Sequence, residues 1–204
     1  METVHKCTLW SQGARQHGVT LIELMVGIAL VAILLATAAP NFQGMTASSR
    51  LTSSSNDLLG SLQLARSQAI RSGSRVTVCR SIDGLQCNTN AAVGWNQGWI
   101  VFQDTTRTSA DAEVDAGENI IANINGLAAG LTIVGSMPIS AYVSFAADGR
   151  SRLMGGGIQS GTIRVCSSAS SLTNNNRARD LIVSSTGQVI VTRPAGVTPD
   201  CPAA

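Results

Sequence analysis

Lysine occurs once in this chain, as Lys6, and histidine twice, as His5 and His17, so beyond residue 18 there is neither. That stretch therefore has no imidazole for acid–base work, no histidine metal ligand and no side-chain amine nucleophile. Charged residues make up 13% of the chain and aromatics 3%, while Gly, Ser, Thr and Asn abound. Such a balance suits a β-rich extracytoplasmic domain better than a helical cytosolic enzyme. A formal net charge of +2 supplies no global basic field for nucleic acid. There is no Gly-Lys-Ser phosphate loop and no internal repeat. Asp111, Glu113 and Asp115 alternate beside Ser, Ala and Gly, which reads as a solvated loop. These absences exclude an enzyme, and neither a cofactor nor a metal is expected.

At 204 residues the chain is long enough for one folded domain with an appendage. Residues 1–18 carry Lys6 and Arg15 and end in His17-Gly18, and a nearly unbroken apolar run extends from Val19 to Ala39. About 20 helical residues cover the hydrocarbon core of a bilayer, so the run is long enough to span. The basic flank places the leader in the cytoplasm and the remainder outside. An ordinary secretory signal could end near Ala36–Ala39, but Glu23 argues against it. A carboxylate in such a segment costs about 2.5 kcal/mol or more at the bilayer centre, so it calls for a partner. If the chain is cut behind Gly18, the new amine of Val19 lies one helical turn before Glu23, on the same face. Glu23 of a neighbouring helix is an equal candidate partner, and a carboxylate snorkelling to the headgroups is the alternative.

The stretch Gly18-Val19-Thr20-Leu21-Ile22-Glu23-Leu24 resembles the processing motif of type IV pilins and type II secretion pseudopilins. Val19 stands where that family usually has Phe or Met, and Pro40 falls where pilins commonly have a helix-kinking proline. The resemblance implies a prepilin peptidase that cleaves behind Gly18 and methylates the amine of Val19. It also implies assembly, dependent on Glu23, with other pilins or pseudopilins through the N-terminal helix. The expected location is the bacterial inner membrane, single-pass with a periplasmic globular domain, before incorporation into a filament.

Beyond Pro40 the pattern becomes amphipathic. Leu51, Leu58, Leu59, Leu62, Ala65, Ala69 and Ile70 recur at three- and four-residue spacing, and Gly73 marks a stop. The spacing predicts a helix from Val19 to about Arg71, roughly 80 Å long, whose outer half buries its stripe on a sheet. Short β-branched segments supply that sheet: 75–79, 99–103, 119–124, 131–134, 142–145, 162–166, 181–184 and 189–192. Ser167–Asn176 reads as a polar loop. The expected fold is α+β, a long N-terminal helix packed on an antiparallel sheet. Its segments are a leader (1–18), a membrane half-helix (19–40), an amphipathic half-helix (41–72) and a β-rich domain (73–204).

Of five cysteines, Cys7 lies in the leader, leaving Cys79, Cys87, Cys166 and Cys201 in an exported chain, where disulfides persist. Four cysteines allow three connectivities. The short spacing across Asp83-Gly84 favours Cys79 with Cys87, leaving Cys166 to tie down the tail at Cys201. Zinc is disfavoured, since there is no Cys-x-x-Cys pair and no histidine beyond residue 18 to complete a site.

The body extends the resemblance. Leu64–Ile70, Val78-Cys79, Gly94-Trp95 and Gly98–Phe102 followed by Asp104 are similar to the GspH/FimT/FimU branch of minor pilins and pseudopilins. Trp95 and Trp99 read as core residues. The function implied is a structural minor subunit that primes or caps a type IV pilus, with a GspH-like pseudopilin of type II secretion as an alternative. A further alternative is a FimT-like subunit that grips DNA during transformation. That branch carries a late Gly-Arg-x-Arg motif. Gly149-Arg150-Ser151-Arg152 matches it, but at the later position the chain reads Gly187-Gln188-Val189-Ile190. A phosphate-binding surface would require Arg150, Arg152, Arg164, Arg177 and Arg179 to converge on one face.

Overall fold

The computed structural model describes residues 18–106, 109–127 and 129–201, with the side chains of 37–41 outside the description. The leader residues Lys6, Cys7 and Arg15, and the side chain of Pro40, therefore lie outside it. Among the described residues one α-helix, α1, runs Leu21–Ser72, a 3-10 turn spans Trp95–Gln97, and eight strands follow the helix: β1 Arg75–Arg80, β2 Gly98–Asp104, β3 Ile120–Asn125, β4 Leu131–Gly135, β5 Tyr142–Phe145, β6 Gly161–Ser167, β7 Ala178–Val183 and β8 Val189–Thr192. The architecture is α+β. Each expected strand is present to within three residues at either end.

Two compact units divide between Ala39 and Pro40. In the first, every described side chain from Gly18 to Ala36 is exposed, including Leu21, Ile22, Leu24 and Met25. Among the described residues no helix is long and apolar enough to cross a membrane.

In the second unit the outer part of α1 buries Leu51, Leu58, Leu62, Ala65 and Ala69 completely. Their three- and four-residue spacing forms one stripe. Burial of each leucine contributes about 1.5–3 kcal/mol. Ile70 is the exception among the expected stripe residues: one position off the repeat, it is 54% exposed and its tip lies over the Gly149 turn. The helix stops at Gly73, whose φ of +62° is a left-handed conformation that glycine adopts freely.

The strands form two antiparallel four-stranded sheets, in the orders β3-β2-β1-β5 and β4-β6-β7-β8. Val76, Val78, Trp99 and Val101 from the first sheet and Ile163, Val165, Leu181 and Val183 from the second join the helix stripe in one core. Alternate residues of the first sheet face the other way, where Cys79, Ile100, Phe102 and Tyr142 gather with Ala112 and Met154. Coverage on both faces explains why β1 and β2 are buried nearly throughout. Trp95 and Trp99 are both fully buried. Their indole N–H groups donate to the carbonyl of Ser140 and to Ser61 Oγ, each at 2.9 Å, as buried indoles require.

Candidate functional site

The N-terminal site begins with Gly18 and Val19, which precede the helix, Val19 being 70% exposed. Thr20 caps α1: its Oγ1 accepts from the backbone N–H of Glu23 at 3.3 Å, and its carbonyl from that of Leu24 at 3.1 Å. Thr20 and Glu23 stand at the two ends of a Thr-x-x-Glu sequence, a helix-start signal of which the threonine half is formed. Glu23 lies in the first turn, where the helix dipole favours a carboxylate. Its exposure leaves the side chain open to a cation from outside this helix.

Two disulfides fasten the second unit. Cys79, near the end of β1, is bonded to Cys87 across eight residues, with Cα atoms 5.5 Å apart. The intervening turn is built on Asp83, whose Oδ1 accepts from the N–H groups of Leu85 and Gln86 and from Ser81 Oγ. Those backbone donors hold its carboxyl below the usual range. Cys166 of β6 is bonded to Cys201 across 35 residues. Ala178 and Val197 pack around that bridge.

The five arginines do not converge. Arg177 is 3% exposed and binds the loop before it, donating to the carbonyls of Ser167, Ala169 and Leu172 and to Asn174 Oδ1. It orders the polar stretch expected to be a loop. Arg164 forms a two-pronged pair with Asp180, at 2.7 and 2.8 Å. That carboxylate raises the Arg164 guanidinium above its ordinary value. Arg179 is also buried, on the opposite face of the second sheet. Arg164 stands across from Asp180 and Val165 from Arg179, so strand alternation sends Arg164 outward and Arg179 to the helix side. Arg150 is exposed beside Asp148 at 3.8 Å, and Arg152 is half-buried in the same turn. Arg177 and Arg179 are thus buried, and Arg164, paired with Asp180, faces the other side of the second sheet from Arg179. Among the described residues no cluster of His, Cys, Asp and Glu is suited to a metal.

The family described as type II transport protein GspH matches residues 54–187, and the prokaryotic N-terminal methylation motif matches residues 13–39. The chain belongs to the GspH family. Two solved structures resemble this GspH-family chain. One is the type IV minor pilin FimU of Pseudomonas aeruginosa, at 20% identity over 72% of this chain and 93% of that one, with a TM-score of 0.47. The other is the minor pseudopilin EpsH from the type 2 secretion system of Vibrio cholerae, at 14% identity over 71% and 98%, also with a TM-score of 0.47. No curated protein sequence matches the chain. The methylation motif encloses Gly18, Val19 and Glu23, while the GspH match encloses the helix stripe from Leu58 onward and strands β1–β7.

Proposed function

We propose that the chain is a minor structural subunit of a type IV filament, cleaved behind Gly18 by a prepilin peptidase and methylated on Val19. The observation that carries this reading is the methylation motif over residues 13–39 on the same chain as the GspH match. The apolar run Val19–Ala39 holds the subunit in the inner membrane, leaving residues 41–72 and the β-rich part from 73 on the periplasmic side. Val19 and Glu23 then present an amine and a carboxylate about one turn apart, and stacking of such helices in a filament pairs one subunit's amine with its own or a neighbour's Glu23. Priming or capping a type IV pilus uses this chemistry, as does insertion into a secretion pseudopilus. The test is a Glu23→Ala chain produced beside the filament machinery. Membrane insertion should be retained and filament incorporation lost, whereas wild-type incorporation would remove the role given to Glu23.

A further inference from the structure

The helix side of the second sheet carries a polar groove that the core does not fill. It is open, about 950 Å³, and its walls include Ser48, Thr52 and Asn56 on successive turns of α1, facing Asn176, Arg179 and Arg193. Arg179 is 6% exposed. Its Nη1 donates to the carbonyls of Asn176 and Ala178, which leaves Nε and Nη2 for the groove. Arg193 is exposed at the same groove, and among the described residues neither arginine meets a carboxylate. Burial lowers Arg179 from the ordinary guanidinium range, and the charge of Arg193 lowers it further. Two cations facing a partly desolvated groove without a counter-charge are a receptor for a carboxylate.

The same chain displays such carboxylates elsewhere. Between β2 and β3, the segment Asp104–Glu118 holds five carboxylates against one arginine. Ala112 is packed into the cluster on the far face of the first sheet, and its neighbours Asp111 and Glu113 point outward, both exposed. The buried alanine thus sits between two exposed carboxylates. We infer that the groove lined by Arg179 and Arg193 receives the Asp111–Glu113 loop of a second copy of this chain. Donor groove and acceptor loop are different patches, so the contact is head-to-tail and leaves a free groove and a free loop at its two ends. A closed symmetric dimer would consume both. This contact rests on the filament-subunit reading, to which it adds a lateral link between globular parts.

The near absence of lysine makes the contact chemically addressable. Arg193→Lys introduces a side-chain amine where the chain beyond residue 18 has none. The full chain in non-ionic detergent, mixed from ¹⁴N- and ¹⁵N-labelled stocks, is treated with a zero-length carbodiimide and mapped by mass spectrometry. Mixed-isotope peptides should join position 193 to Asp111 or Glu113. Their yield should fall severalfold from 0.1 to 1 M salt, as the screening length shrinks from about 10 Å to about 3 Å. Asp111→Asn with Glu113→Gln should abolish them. Products confined to one copy, products on Asp57 or Asp200, or no product at all would overturn the contact. Intact mass of the same sample reports the N-terminus, so failure of this contact and failure of the filament-subunit reading are read separately.

Discussion

The guanidinium of Arg66, in the last turns of α1, donates through Nε to the carbonyl of Gly149, 83 residues away, at 3.1 Å. Its Nη2 reaches the carbonyl of Thr186. One helix side chain therefore binds two turns, the β5–β6 connection and the β7–β8 hairpin. The turns themselves nearly touch: a Cβ at Gly187, whose φ is +77°, would lie 1.9 Å from the Gly149 oxygen. Hydrogen bonds to a charged group contribute about 1.5–3 kcal/mol, so Arg66→Ala should destabilise by about that amount in thermal or urea unfolding. Gly187→Ala should destabilise as well, through both the clash and the left-handed backbone.

The two disulfides should contribute unequally. Closing 35 residues removes more freedom from the unfolded chain than closing eight, about 4 against about 2.5 kcal/mol in the chain-entropy treatment. Replacing Cys166 and Cys201 by Ser should therefore lower the unfolding midpoint further than replacing Cys79 and Cys87. Denaturant titrations of both double variants give the comparison, and equal losses would contradict it.

Asp83 supplies a pH signature. Its folded value lies below the ordinary carboxylate range because backbone N–H groups favour the charged form. A depressed carboxyl contributes stability that is present above its unfolded value and is lost as pH falls through the folded one. The Asp83 resonance should titrate below the ordinary aspartate range, and Asp83→Asn should remove that displaced titration from the NMR profile.

The arginines lead to a negative expectation. With Arg177 and Arg179 buried and Arg164 paired with Asp180, a mobility shift of duplex DNA should not depend on this set. Each phosphate contact adds about 0.9 to the slope of log K against log salt, so a fall of about 2 in Arg150→Ala with Arg152→Ala would reinstate a DNA-gripping surface.

Features set by local pattern were legible in the sequence: the stripe from Leu51 to Ala69, the stop at Gly73, the strands bounded by turn residues, and the 18–23 motif. Those set by pairing were not. β1 pairs with β5, placing Val76 opposite Phe145, and no local periodicity specifies a partner that far along the chain. The division into two sheets stayed hidden for that reason. The directions of Arg164 and Arg179 follow from the β6–β7 register, which spacing alone does not disclose. Ile70 misled because its spacing fits a wider stripe than the sheets cover.

The central claim is that this GspH-family chain becomes a filament subunit by cleavage behind Gly18. Its most direct test is the intact mass, with N-terminal fragmentation, of the chain extracted from membranes that contain a prepilin peptidase. The account requires a chain that begins at Val19 and carries one added methyl group on its amine. A mature chain that begins after Ala39, or one that keeps residues 1–18 in the presence of active peptidase, would contradict it.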